Sequence, residues 1–182
     1  MPYQCKNLNS AWRLAPGEDM PLQWRHSVPV PSLVDCADPS FDWQSFDYFW
    51  YKTHFIPSEI HPEQHVILQL EHVQFGAQVW LNGHLIGEDI PCYTSQWFDL
   101  TKFLQLDSEN VLLIRVGQKH TLPEHSAVGN DQEKLAWIPG IWGDVKLHFY
   151  GPGRIPWVRI IPDIDKGSID VTAEIENLAA HH

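Results

Sequence analysis

The fold is decided by the stretch Ala77-Gln78-Val79-Trp80-Leu81-Asn82-Gly83-His84-Leu85-Ile86-Gly87. Two strand-forming segments flank the dipeptide Asn82-Gly83, which tolerates positive φ at both central positions of a type I′ turn better than other pairs. The stretch therefore predicts a tight β-hairpin. Because side chains alternate along a strand, Val79 and Leu81 should share one face and Trp80 should lie on the other.

The same alternation recurs on both sides of this hairpin. Phe49, Tyr51 and Phe55 should share one face of a buried strand. Further strands are predicted over residues 66–71, 111–116, 145–149, 157–161 and 169–176. Asp99 should cap one short helical turn over residues 99–104. Many short strands, separated by turn residues and with almost no amphipathic helix, predict an all-β sandwich or jelly roll.

The first forty residues follow a different pattern. They hold six prolines, among them Pro16, Pro21, Pro29, Pro31 and Pro39. Proline removes a backbone donor and discourages helices, so we expect an extended segment that wraps around the domain.

Composition limits the partners and the compartment. A formal net charge of −11, with only 12 Lys and Arg residues, argues against nucleic acid, which binds clustered cations. No stretch approaches the roughly 18 apolar residues of a membrane span, and residues 1–10 lack a secretory signal. The scattered Cys5, Cys36 and Cys92 suit neither a disulfide scaffold nor a zinc site. We therefore expect a cytoplasmic protein, with a periplasmic or secreted location as the alternative if a leader has been removed.

Acidic residues offer no obvious catalytic pair. Glu88 and Asp89 are adjacent in an extended segment, so they should point to opposite sides and be solvated. Asp107, Glu109 and Asn110 carry oxygen ligands that suit calcium, but they lack the number and regularity of a calcium loop. A solvated turn is the expected structure there.

Histidine pairs occur twice, as His61 with His65 and as His120 with His125. Each pair lacks the third protein ligand of a zinc site, so exposed imidazoles in turns are expected. The sequence also has no Gly-x-Ser-x-Gly elbow and no phosphate-cradling glycine pattern. We therefore expect neither a metal nor a cofactor.

The connection over residues 117–139, here called the long loop, is the candidate functional segment, because long ordered loops on a rigid scaffold tend to be functional. Shortly before Trp137 it carries three polar residues: Asn130, Asp131 and Glu133. Together with these hydrogen-bonding groups, the Trp137 ring can face the apolar side of a pyranose. These four residues are the predicted carbohydrate-binding site, and the alternative is that the loop only packs on a neighbouring domain. Trp142 is expected in the core.

Seven segments occur in a recognisable order: Leu8-Asn9-Ser10-Ala11-Trp12, Trp24 with Val28-Pro29-Val30-Pro31, Phe49-Trp50-Tyr51-Lys52-Thr53-His54-Phe55, Val79-Trp80-Leu81-Asn82-Gly83, Phe98-Asp99-Leu100-Thr101, Asn110-Val111-Leu112 and Gly140-Ile141-Trp142-Gly143-Asp144-Val145. Together they resemble the N-terminal, sugar-binding-like domain of family 2 glycoside hydrolases, such as β-galactosidases, β-glucuronidases and β-mannosidases. Two positions depart from the family pattern, because Lys52 and Gly143 stand where the family usually has Arg.

The resemblance implies a galactose-binding-like jelly roll over residues 1–156. Residues 157–182 would be transition strands that start an immunoglobulin-like second domain. The family's catalytic glutamates lie in a later (β/α)8 barrel, so no catalytic residue is assigned to this chain. The implied partners are carbohydrate, bound weakly or only in the full-length enzyme, and the catalytic and immunoglobulin-like domains; a homo-oligomer is left open. Asp131 and Glu133 are the nearest candidates for the aspartate that some β-galactosidases extend into the active site, although neither spacing matches.

Three hypotheses follow from these observations. The chain is an accessory module of a glycoside hydrolase, a free-standing carbohydrate-binding module, or a structural sandwich that binds no sugar. The incomplete-looking last strand favours the first hypothesis. Because one jelly roll serves several exo-enzymes, the sequence predicts no particular sugar.

Overall fold

The computed structural model describes residues 3–57, 64–128 and 136–178. Strands dominate these residues, and the helical segments among them are single 3-10 turns. The strands are β1 Gln4–Asn7, β2 Ser10–Pro16, β3 His26–Val30, β4 Ser32–Leu33, β5 Tyr48–Phe55, β6 His65–Leu70, β7 Val73–Gln74, β8 Ala77–Leu81, β9 His84–Asp89, β10 Gln96–Asp99, β11 Asn110–Gly117, β12 Gly140–Ile141, β13 Val145–Tyr150, β14 Gly153–Arg154, β15 Val158–Asp163, β16 Ser168–Ala173 and β17 Glu176–Asn177. No helix in the described ranges is long and apolar enough to cross a membrane.

Two antiparallel sheets form a sandwich. One has the strand order β1-β13-β6-β10, and the other has the order β3-β2-β5-β11-β8-β9. Leu14, Tyr51 and Ile114 from the larger sheet meet Leu68 and Leu147 from the smaller sheet in one buried cluster. The all-β, jelly-roll prediction is therefore confirmed.

The hairpin that decides the fold is present as predicted. Asn82 has φ 52° and Gly83 has φ 85°, while Leu81 pairs with His84 across the turn. Val79 and Leu81 are fully buried, and Trp80 lies on the opposite, outer face. Positive φ at both central residues is what a type I′ turn requires.

The N-terminal segment is more than an extended wrap, so this prediction was incomplete. It supplies four strands, and β2 lies between β3 and β5 inside the six-stranded sheet. Its prolines remain compatible with pairing because Pro16 ends β2 and Pro29 lies in the edge strand β3. A residue without an N–H group is tolerated where one side of a strand has no partner.

The turn after β10 is confirmed in a shorter form. It is a 3-10 turn over Thr101–Phe103, and the Asp99 carboxylate accepts a 2.9 Å hydrogen bond from the backbone N–H of Thr101. Asp99 thus stabilises the start of the turn, although Leu100 occupies the formal cap position.

The last two long strands form a separate hairpin. β15 and β16 pair with each other, and β16 ends at Ala173 instead of continuing to residue 176. Glu176–Asn177 instead pairs with Gly153–Arg154, and Leu178 is buried next to this small sheet. One face of the β15–β16 hairpin is apolar, because Val158, Ile160, Pro162, Ile169, Val171 and Ala173 share it in register. Nearly every residue of the hairpin is exposed.

Candidate functional site

The long loop leaves the sandwich from a rigid base. After Gly117, the backbone N–H of Gln118 donates to Asp47 O at 2.8 Å, and its side-chain amide donates to Phe46 O at 3.1 Å. A Cβ on Gly117 would collide with Thr121 Oγ1, so the chain turns tightly there. The following 3-10 turn, Lys119–Thr121, starts the loop.

The other end of the loop is fixed just as firmly. Gln74 Nε2 donates to Ile138 O at 2.6 Å, and the N–H of Val34 donates to Pro139 O at 2.9 Å. Gly140 then has φ 156°, and a Cβ there would lie 2.6 Å from Leu33 Cα. Only glycine fits this close approach, which explains the first residue of the Gly-Ile-Trp segment.

Trp137 lies between these two anchors and is half-buried. Its ring centroid is 6.1 Å from that of Phe75, and Lys119 Nζ lies 3.8 Å from the ring centroid. A cation over an indole face is an attractive arrangement. A cavity of about 410 Å³ next to this ring is lined by Lys119, His120, Leu122, Pro123, Glu124, His125, Ser126, Val128 and Trp137.

The other three predicted site residues, Asn130, Asp131 and Glu133, lie outside the described residues. Of the four predicted site residues, Trp137 is therefore the one whose position the structure describes. Lys119 is an addition that sequence reasoning missed, since no local pattern indicates that it reaches across the loop.

Trp142 is not in the core, so that prediction was wrong. It is 37% exposed, whereas the preceding Ile141 is fully buried and takes the inward position. The Trp142 ring stacks on His72 with centroids 4.3 Å apart and meets Tyr93 edge-on at 5.9 Å. His72 also fills the space beside Gly143, where a Cβ would lie 2.6 Å from the His72 backbone nitrogen. His72 thus occupies the space that a side chain at position 143 would need, which agrees with glycine standing where the family usually has Arg.

Several signature residues hold strands together. Asn9 Oδ1 accepts from Val145 N at 3.0 Å, and Asn9 Nδ2 donates to Asp144 Oδ1 at 2.7 Å. Lys146 forms ion pairs with Asp144 and Glu71. The hydrogen bond from Asn9 and the contact with Lys146 lower the pKa of Asp144 below its usual value. These contacts join the segment after β1, the end of β6 and the start of β13.

The histidine pairs do not meet as metal ligands. His61 lies outside the described residues, and His65 is buried in β6 and not exposed in a turn as expected. His120 pairs with Asp47 at 2.9 Å, while His125 is exposed and has φ 67°. Within the described ranges, no three His, Cys, Asp or Glu side chains come close enough to hold a metal.

The turn before β11, which was expected to be solvated, contains a buried amide. The Asn110 side chain is fully buried and donates to the carbonyl groups of Gln105 and Ser108. Glu109 instead pairs with His54 at 3.2 Å. The turn is therefore stabilised by its own amide.

Glu88 and Asp89 alternate as expected, because Glu88 pairs with Gln78 on the outer face and Asp89 pairs with the buried Ala77. At the end of β9, however, both residues line a second cavity, of about 240 Å³. Arg115 lines the same cavity. Sequence reasoning missed this grouping because it depends on how β8, β9 and β11 pair.

The described groups are suited to binding. The residues that line the two cavities comprise rings, amides, carboxylates and cations. Such a set can bind a polar ligand with apolar faces.

A family model described as "Glycosyl hydrolase 2 galactose-binding domain-like" matches residues 26–141, which include most of the sandwich and all of the long loop. The chain belongs to this family. The chain is 33% identical over 116 residues to the β-galactosidase large subunit of Leuconostoc lactis, covering 62% of this chain and 18% of that protein. It is 26% identical over 172 residues to the mannosylglycoprotein endo-β-mannosidase of Lilium longiflorum, covering 80% of this chain and 17% of that protein. This family member thus spans less than a fifth of either relative.

Solved structures show the same fold. A β-glucuronidase from an uncultured Clostridium species superposes with a TM-score of 0.77 at 22% identity, covering 98% of this chain and 34% of that chain. The likeness extends over both the sandwich and the β15–β16 hairpin, since it covers nearly all residues.

Proposed function

We propose that this chain is the non-catalytic, sugar-binding-like module of a larger family 2 glycoside hydrolase of the β-galactosidase type. The observation that carries the proposal is the family match over residues 26–141. The named glycosidases that resemble the chain are several times longer, which leaves room for a separate catalytic domain. The module would support that domain.

The β15–β16 hairpin supports this role as the start of a second, immunoglobulin-like domain. A two-stranded hairpin is marginally stable in water by itself. Ile160 and Val171 are directly paired on its apolar face and are 61% and 57% exposed. Further strands of the second domain would bury this face. The boundary we propose, near residue 157, lies between β14 and the hairpin, and β14 pairs with β17, which follows the hairpin.

The long loop would line the sugar pocket of the complete enzyme. Its two ends are anchored by hydrogen bonds, and Trp137 projects from the anchored part with Lys119 over its ring. The predicted residues Asn130, Asp131 and Glu133 would add hydrogen bonds to sugar hydroxyl groups. In the isolated chain the opposite wall of the pocket is missing, so binding at the loop should be no tighter than about millimolar.

The first experiment tests catalysis by the chain alone. Retaining hydrolysis needs two carboxyl groups about 5 to 5.5 Å apart across the sugar. We expect the purified chain to release no nitrophenol from nitrophenyl β-galactoside, β-glucuronide or β-mannoside. Turnover that persists at constant specific activity through repeated purification would refute the non-catalytic role.

The second experiment tests the loop in the full-length enzyme. Trp137→Ala should lower kcat/KM, because a ring that contacts the sugar would be lost. Tyr93→Ala is the matched control, since it also removes an exposed ring, from the Trp142 cluster. An unchanged kcat/KM in Trp137→Ala would remove this residue from the pocket.

A further inference from the structure

The outer face of the six-stranded sheet carries a row of three polar side chains in register. Arg115 on β11 pairs with Gln78 on β8, and Gln78 pairs with Glu88 on β9. Side chains at paired positions of adjacent strands lie on the same face. The three therefore stand side by side and line the cavity of about 240 Å³ described above, here called the row cleft.

The row is held in place by its own contacts. Gln78 Nε2 donates to Glu88 Oε2 at 2.7 Å. The Arg115 guanidinium carbon lies 4.3 Å from the Tyr48 ring centroid, and its Nη1 donates to Glu18 O at 3.2 Å. These contacts fix the orientation of the three groups without using all their capacity, since a guanidinium has five N–H donors and a carboxylate has two acceptor oxygens.

Apolar side chains also line the row cleft. They are Leu122 and Pro123, from the first part of the long loop, and the Tyr48 ring, which contacts the Arg115 guanidinium. Leu122 is held by a hydrogen bond from its N–H to Lys119 O at 3.3 Å. The cleft thus combines a polar row with apolar side chains, within a volume that suits one small ring.

We propose that the row cleft binds a single neutral pyranose residue, at a site distinct from the Trp137 face of the loop. Sugar hydroxyl groups both donate and accept hydrogen bonds, so they match a row in which Glu88 accepts, Arg115 donates and Gln78 does both. The C–H face of the ring matches the apolar side chains. Binding energy comes from the small number of placed polar groups, as in most small-ligand sites.

The cleft is lined by charges of both signs, since Glu88, Asp89 and Arg115 all border it. A singly charged ligand would be attracted by one of these groups and repelled by another, whereas an uncharged polyhydroxylated ring meets no like-charge repulsion. Repulsion of this kind contributes to specificity.

The test is titration calorimetry and ligand-observed NMR on the 182-residue chain with galactose, glucose, mannose and glucuronate. At least one of the three neutral sugars should bind with a Kd of about 1 to 10 mM. Glucuronate should bind at least fivefold more weakly because of its carboxylate. Absence of binding by all three neutral sugars up to about 50 mM would refute the proposal.

Variants locate the site. Glu88→Ala and Gln78→Leu should each weaken binding of the neutral sugar at least fivefold, whereas Glu109→Ala, an exposed glutamate paired with His54, should leave it unchanged. Loss of binding in Trp137→Ala with full binding in both row variants would place the sugar on the loop and overturn this proposal, while the proposed role of the loop would stand. Equal loss in Glu109→Ala would show a non-specific effect and overturn it too.

Discussion

Asn82 and Asn110, 28 positions apart, are joined by a 2.9 Å hydrogen bond from Asn82 Nδ2 to Asn110 Oδ1. Asn82 Oδ1 accepts from the N–H of Val111, and Asn110 Oδ1 also accepts from the N–H of Gln105. Two turns are thereby fastened to each other, the hairpin turn and the turn before β11. Both asparagines belong to the segments that resemble the family, so this contact assigns them a structural role.

The first prediction concerns the buried amide of this pair. Asn110→Ala should destabilise the chain by about 2 to 3 kcal/mol, because buried carbonyl and N–H groups would lose their partners. Urea titration measures the change. Gln105→Ala is the control, since it keeps the backbone groups that Asn110 binds, and should stay within about 0.5 kcal/mol of the unaltered chain. Equal stability of the two variants would contradict the role of the amide.

The second prediction concerns Gly83, whose φ is 85°. Gly83→Val should cost about 1 kcal/mol or more, because a β-branched residue resists positive φ. Leu85→Val, an exposed position of the adjoining strand, provides the comparison and should change the unfolding free energy little. If both variants unfold at the same urea concentration, the positive-φ turn is not required.

Much of the fold could be predicted from local sequence patterns. The Asn82-Gly83 turn and the alternation of Phe49 and Tyr51 depend on neighbours in sequence, so their structure follows from a few residues. The prediction for Trp142 was wrong because Ile141 takes the inward position. The strand Gly140–Ile141 has only two residues, so the sequence shows no alternation that would indicate which side chain points inward.

The candidate sites were harder to predict because they depend on long-range pairing. Arg115, Gln78 and Glu88 come together only when β8 pairs with both β9 and β11 in one register, and a shift by one residue would reverse their faces. Trp137 was identified because aromatic and polar residues are concentrated near it. Lys119 was not, since its place over the ring arises from the path of the loop.

The third prediction concerns His148, which is buried on the smaller sheet. Its Nδ1 lies 2.6 Å from Tyr3 Oη and its Nε2 lies 2.7 Å from Gln69 Oε1. The Gln69 oxygen can only accept, so Nε2 donates and Nδ1 accepts from the Tyr3 hydroxyl, which satisfies the neutral ring. Burial, together with the nearby charges of Lys146 and Arg154, lowers the pKa of His148 below 6.5.

The sign of the pH dependence follows from that shift. As the pH decreases through about 6.5, the unfolded chain binds a proton at this position more readily than the folded chain does. The free energy of unfolding therefore decreases as the pH decreases. Urea titrations at pH 7.5, 6.5 and 5.5 should show this loss, and His148→Gln should lose less over the same range. Parallel pH profiles for the two proteins would show that His148 does not contribute.

The last prediction concerns the exposed face of the β15–β16 hairpin. Ile160 and Val171 are paired on the apolar face, whereas Ile161 and Asp170 are paired on the opposite face. Exposed apolar patches of this kind promote association. We therefore expect the chain to bind an apolar dye and to self-associate at high concentration.

Replacing Ile160 by Lys and Val171 by Glu would put an opposite-charge pair on the apolar face in register, which a sheet tolerates. We expect this double variant to lower dye fluorescence and to shift the sedimentation profile toward monomer. The stability of the sandwich should change by no more than about 0.5 kcal/mol, because the hairpin contributes nothing to the buried core cluster. Ile161→Lys is the matched control, since it adds a charge opposite Asp170 on the other face. If this control reduces dye binding and association as much as the double variant does, the apolar face is not their cause. The proposal that further strands of a second domain bury this face would then lose its support.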